Sequence, residues 1–216
     1  LSAFIAAYVA IEAGHLVSGK TPVDIIVTPI VSIAAGAVVA YIVGPYIAIF
    51  TEWLGNLINI NVDKHPFIGG IVISVSMGIF LTLPISSAAI GIMLGLSGLA
   101  SGAATIGCCC QMVGFAVMSF KENKVGGLIS QGIGTSMLQM PNIIRHPQIW
   151  IPPILSSAIL APVSTMVFKM VSNPVGSGMG TSGLVGQFSA YAVMVGAGTH
   201  PATAVIQIMV MHFVLP

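Results

Sequence analysis

Of the 216 residues, 56% are hydrophobic and 5% charged, and the formal net charge is +1. An ordinary globular protein carries about 25% charged residues, so this composition excludes a soluble domain, and no basic patch offers itself to a nucleic acid. The apolar runs are continuous rather than alternating, which excludes a transmembrane β-barrel and predicts an all-α, polytopic membrane protein in the lipid bilayer.

In chain order, residues 1–16 read as an apolar arm carrying Glu12 and His15, followed by a polar turn at 18–24 with Lys20 and Pro22. Residues 25–51 are uncharged and predict a second span, bent near Gly44-Pro45 where proline removes a helical hydrogen bond. Tyr41, Tyr46 and Trp53 suit an interfacial aromatic belt, and residues 52–64 an amphipathic helix along the interface.

Residues 66–120 contain no Asp, Glu, Lys or Arg. The run is longer than the roughly 20 residues that one crossing needs, and Thr82, Pro84, Ser86 and Ser87 break it. The pattern predicts arms at 71–81 and 86–101, the second with Gly91/Gly95 and Gly98/Gly102 at the spacing that lets helices approach closely, and a further span at 103–120. Lys121-Glu122-Asn123-Lys124 is the only dense charge cluster and marks a short cytoplasmic loop.

Residues 125–144 are uncharged yet rich in amides and hydroxyls, as expected of a half-buried or re-entrant segment. Residues 149–168 form a span interrupted by Pro152, Pro153 and Pro162, and 172–187 a glycine-rich polar loop. Two last arms cover 188–198 and 201–215. His-Pro precedes three arms, and Leu83-Pro84-Ile85-Ser86-Ser87 echoes Ala161-Pro162-Val163-Ser164-Thr165. The echo fits an internal repeat or chance in a narrow alphabet. Residues 1–216 are expected to be a single permease-like domain, a fragment of a longer chain.

A hydroxyl or amide in hydrocarbon is costly unless paired, so polar groups at helix breaks must face each other, water or a ligand. Thr82, Ser86 and Ser87, then Gln131, Thr135, Gln139 and Asn142, then Thr181, Ser182 and Gln187 are therefore the candidate substrate-binding residues. Uncharged donors and acceptors suit a neutral, sugar-like solute. Helix–helix hydrogen bonding is the alternative for each of them. Glu12 with His15, three residues apart on one helical face, and Arg145 with His146 are candidate ionisable sites.

Catalytic signals are poor. Gly178-x-Gly180-x-x-Gly183 matches a dinucleotide fingerprint in letters alone, with no acidic residue after it. Cys108, Cys109 and Cys110 are adjacent, point in different directions on a helix and predict packing rather than a metal site. No cofactor is expected, and an enzyme is less expected than a transporter.

The run from His65 to Ala116, the segment SQGIGTSMLQMPNIIRHPQIWIPPILSSAILAPV and the loop NPVGSGMGTSGLVGQ resemble the membrane-protein family related to enzyme IIC of the bacterial sugar phosphotransferase system, in the branch that includes the perfringolysin O regulator. The resemblance implies a multi-pass helical permease domain, homodimeric, in a bacterial inner membrane. It would carry a sugar that a separate phosphocarrier domain phosphorylates. Glucose-type relatives have a Gly-Ile-Thr-Glu phrase before a proline at the substrate hairpin. Here Leu81-Thr82-Leu83-Pro84 lacks the glutamate, which leaves a non-transporting membrane regulator as the alternative function.

Overall fold

In a computed structural model of the chain, residues 2–20 and 22–216 are described; Leu1 of the first expected arm and Thr21 of the expected turn lie outside them. The described residues form helices and turns, with one isolated bridge between Gly98 and Ser172. The chain divides into two compact units, 1–54 and 55–216.

The first unit contains α1 (Ser2–Val17) and most of α2 (Asp24–Lys64). The two helices run antiparallel, because Gly14 lies against Ser32 and Gly36 against Ala10. Asp24 opens α2 and accepts a hydrogen bond from Thr28 Oγ1 at 2.8 Å. With 41 residues, α2 is about 60 Å long at 1.5 Å per residue, twice the thickness of a bilayer core. Helical structure passes without interruption through Pro29 and Pro45. Residues 52–64, expected to form a separate interfacial helix, are the continuation of this one.

The second unit is built around α5 (Gly98–Met118), the most buried of the three helices long and apolar enough to cross a membrane; the others are α2 and the helical stretch Pro147–Phe168. Before it come α3 (Pro66–Thr82) and the short α4 (Ser87–Met93). Pro66 starts α3 where the first N–H groups need no helical partner. The expected break at 83–86 is present, and Ser86 caps α4 by accepting from Ala89 N–H at 3.3 Å.

The arm expected at 86–101 is itself broken. Gly95 and Gly98 have φ of +57° and +55°, values that L side chains resist, and the chain turns between α4 and α5. Asn59 holds this turn from α2, donating to the Gly95 carbonyl at 3.0 Å and accepting from Ser97 N–H at 3.2 Å.

Close approach of backbones fixes how α3 and α5 pack. A methyl group on Gly107 would stand 1.8 Å from the Ser74 carbonyl oxygen, and one on Gly78 would stand 2.7 Å from that of Gly107. Without a hydrophobic force between helices in lipid, small residues and short contacts carry association. One face of α5, with Ala100, Ala104, Cys108 and Met112, packs on Met77 and Leu81. Another, with Ile106 and Cys110, packs on Leu160, Met194 and Met211.

After α5 the chain forms α6 (Phe120–Ile129), interrupted at Lys124, then a π-turn at Ser130–Gly134 and a 3-10 turn at Ser136–Gln139. The short α7 (Met140–Arg145) leads through a 3-10 turn at Pro147–Trp150 into α8 (Ile151–Pro162), which continues as a π-helix to Phe168. Then come the single turn α9 (Pro174–Ser177), a 3-10 turn at Ser182–Leu184, α10 (Val185–Gly196) and α11 (Pro201–Met209), the last extended by a π-turn at Val210–Val214. The first two His-Pro phrases thus each open a long helix, a break, a short helix and another helix.

Candidate functional site

The ten expected binding residues have two kinds of hydrogen-bond partner. In the breaks, the hydroxyls of Ser86, Ser87, Thr135, Thr181 and Ser182 pair with backbone. Ser87 donates to the Gly178 carbonyl at 2.6 Å, Thr181 to the Gly132 carbonyl, and Ser182 to that of Gly134 at 2.9 Å. Ser86 and Thr135 cap the turns that follow them, Thr135 accepting from Met137 N–H at 3.2 Å. Glycines make these contacts feasible: a methyl group on Gly178 would stand 2.2 Å from the Ser87 carbonyl oxygen. Gln187 is buried against Cys109 Sγ at 3.5 Å and His212 Nδ1 at 3.0 Å, beside an apolar hollow of about 530 Å³.

The amides of residues 131–142 behave differently, because their partners are other side chains. Gln131 Nε2 donates to Ser119 Oγ at 2.9 Å. Gln139 Nε2 donates to Gln131 Oε1 at 2.8 Å, and Asn142 Nδ2 to Gln139 Oε1 at 2.9 Å. The series Asn142–Gln139–Gln131–Ser119 runs from an exposed amide at one end to buried ones behind it. Each buried member is satisfied by the next, as burial of an amide requires.

This series borders a cleft of about 600 Å³. Ser119, Glu122 and Asn123 line it from the end of α5 and the start of α6, Gln139, Asn142 and His146 from the segment around α7, and Gln148 from the start of the next helix. Phe115, Met118, Ile149 and Pro152 give it apolar surface. A recess of about 470 Å³ shares Asn123, Gln139 and Asn142 with the cleft and includes Gln131. Four carboxamides and a hydroxyl can each donate and accept, while Glu122 and His146 are the ionisable groups among the described residues of the lining.

Local backbone places Asn123. Lys124 adopts φ 52° and ψ −149°, which turns the chain in the middle of α6. Gly127 then lies under Asn123: a methyl group there would come within 2.2 Å of the Asn123 Cβ.

Ser119, Glu122, Asn123 and Gln148 were not among the expected site residues. The charge cluster read as a loop is the wall of the cleft. Its signal in the sequence was Asn123 amid three charges, and that signal is equally common in plain loops. Of the expected ionisable residues, His146 lines the cleft, whereas Arg145 is exposed and outside it. Glu12 and His15 are exposed on α1 in the first unit.

A second polar group missed in the sequence is Gln111, fully buried on α5. Its Oε1 accepts from Trp150 Nε1 at 2.9 Å and lies 3.3 Å from the Thr82 hydroxyl, which is 3.0 Å from Ser136 Oγ.

The three cysteines point three ways, as their adjacency requires. Cys108 donates to the Met77 and Ser177 carbonyls at 3.5 Å, Cys109 accepts from Gln187, and Cys110 accepts from Ser156 Oγ at 3.6 Å. Among the described residues no group of His, Cys, Asp or Glu could hold a metal ion.

Compared with known proteins, the chain matches the family described as "Phosphotransferase system, EIIC" over residues 1–216, and it belongs to that family. It is therefore a membrane protein of a sugar-transport system. No curated protein and no solved structure matches it.

Proposed function

We propose that the chain is a permease component that binds a neutral, sugar-like solute in the cleft bordered by Asn123, Gln139 and Asn142 and passes it across a bacterial inner membrane. The observation that carries this reading is the side-chain series ending at Asn142. Its amides are held by one another and not by backbone, so the outermost presents a fixed, uncharged donor and acceptor to the cleft. A sugar offers the complementary pattern: hydroxyls that donate and accept, and C–H faces that suit Phe115, Ile149 and Pro152. Gln131 then acts behind the site, holding Gln139 in place.

Lys121 and Lys124 flank the cleft residues Glu122 and Asn123, so the positive-inside tendency puts the cleft at the cytoplasmic end. A phosphocarrier domain of the same transport system would meet the sugar there. The largely exposed α2, with none of its most apolar window buried, supplies surface for lipid and for a second copy of the chain in a homodimer.

Binding of labelled D-glucose, D-mannitol and D-ribose to the purified chain, followed by counterflow in proteoliposomes, tests the reading. Saturable binding with counterflow of at least one supports it. Binding without counterflow favours the regulator, and no binding of any of the three removes the solute site.

A further inference from the structure

The amide of Gln111 has one side accounted for and one not. The indole N–H of Trp150 can only donate, so the group facing it at 2.9 Å must be the Gln111 oxygen. That orientation also lets Thr82 donate to the same oxygen. It leaves Gln111 Nε2, on a side chain with no exposed surface, without a hydrogen-bond partner among the described residues. An unpaired amide N–H in such surroundings is costly, and native structures keep few of them.

Its position relates it to the cleft. On three separate elements, a member of this buried network is a close sequence neighbour of a cleft residue. Gln111 is one helical turn before Phe115, Ser136 one turn before Gln139, and Trp150 next to Ile149. The network therefore adjoins the apolar side of the cleft, at the break that ends α3 with Thr82.

We infer that Gln111 is a second, inner contact for the transported solute, whose Nε2 donates to a hydroxyl or ring oxygen as the solute leaves the outer cleft. The inference rests on the proposed solute site. Thr82 and Ser136 hold the amide in the orientation that presents the nitrogen, and Trp150 reports on it. Because Gln111 is fully buried, this contact forms only when the packing around it opens. It thus belongs to translocation and not to first capture.

The chain has two tryptophans, so Trp53→Phe on the exposed face of α2 leaves Trp150 as the only emitter. In that background the sugar found to bind among D-glucose, D-mannitol and D-ribose is expected to shift Trp150 emission. Gln111→Met, similar in volume but without the amide, is expected to lower counterflow at least tenfold while binding of the same sugar changes less than twofold. Where Gln111→Met does not fold, Gln111→Glu keeps an oxygen for Trp150 and replaces the nitrogen; counterflow is again expected to fall. Counterflow that proceeds with Trp150 emission unchanged overturns the inner contact and spares the outer site. Parental counterflow in the Gln111 variants does the same. Absence of any sugar binding in the parent overturns both.

Discussion

The broken hairpins and the cleft are both rich in uncharged polar side chains, and both interrupt apolar helices. They differ in where the hydrogen bonds end. At Ser87, Thr181 and Ser182 the acceptor is a backbone carbonyl of a neighbouring segment, so the side chain repairs the ladder that the break opened. At Gln131, Gln139 and Asn142 the partner is another side chain and the last member faces open space. Polarity at a helix break therefore does not by itself mark a ligand site. A polar group that leaves capacity beyond its own backbone repair does.

The comparison breaks most forcefully at the glycines that bring the framework together. Gly107→Ala would drive a methyl group onto the Ser74 carbonyl, a contact of 1.8 Å that only movement of α3 relieves. The expected cost is about 3 kcal/mol or more, at the upper end of overpacking, seen as a large fall in the melting temperature of the purified protein. An unchanged melting temperature would mean that α3 and α5 do not touch there.

In the cleft the expected effect is on affinity. Asn142→Ala and Asn123→Ala are each expected to weaken binding of the proposed sugar about tenfold, or about 1.4 kcal/mol, with the melting temperature held within about 1–2 °C because Asn142 is exposed. Gln131→Ala is expected to lose affinity and stability together, since it leaves Gln139 Nε2 without its acceptor. Equal stability losses in all three would assign the whole series to structure and erase the contrast with the hairpins.

Much of this architecture was legible because lipid imposes a narrow code. Long uncharged runs had to be helices, Pro84 with its hydroxyl neighbours had to be a break, and the amides of residues 125–144 had to find partners. The turn between α4 and α5 was not legible. Gly95 and Gly98 serve positive φ, yet in sequence they are indistinguishable from glycines that let a helix approach another segment closely, as Gly102 does at Met170 and Gly107 at Ser74. Gln111 was hidden for the opposite reason: one amide in a long apolar helix leaves no periodic trace, and its partners Thr82 and Trp150 are 29 and 39 residues away. Nor does the sequence show whether a serine donates to its own turn or to a carbonyl 91 residues distant, as Ser87 does.

Ser87→Ala tests the hairpin side of the contrast. The lost bond to Gly178 leaves one buried carbonyl unpaired, at a cost of about 1–2 kcal/mol of stability. Solute affinity is expected to change less than twofold. A large loss of affinity at unchanged stability would move Ser87 from backbone repair to ligand contact.

The smallest effect sharpens the comparison at the wall of the cleft. Lys124 holds φ 52° and ψ −149°, a conformation close to one that only glycine occupies freely. Such a residue costs about 1–3 kcal/mol of strain, while glycine costs about 0.5–1 kcal/mol through the freedom it gives the unfolded chain. Lys124→Gly is therefore expected to stabilise the protein by about 0.5–1 kcal/mol, read as a small rise in melting temperature. Its neighbour Asn123 keeps its place only if this turn is kept, because Gly127 beneath it leaves no room for another arrangement with a side chain added. Sugar affinity should thus survive Lys124→Gly and fall in Gly127→Ala. A fall in both would mean that the lysine itself, and not the turn it occupies, contributes to the cleft.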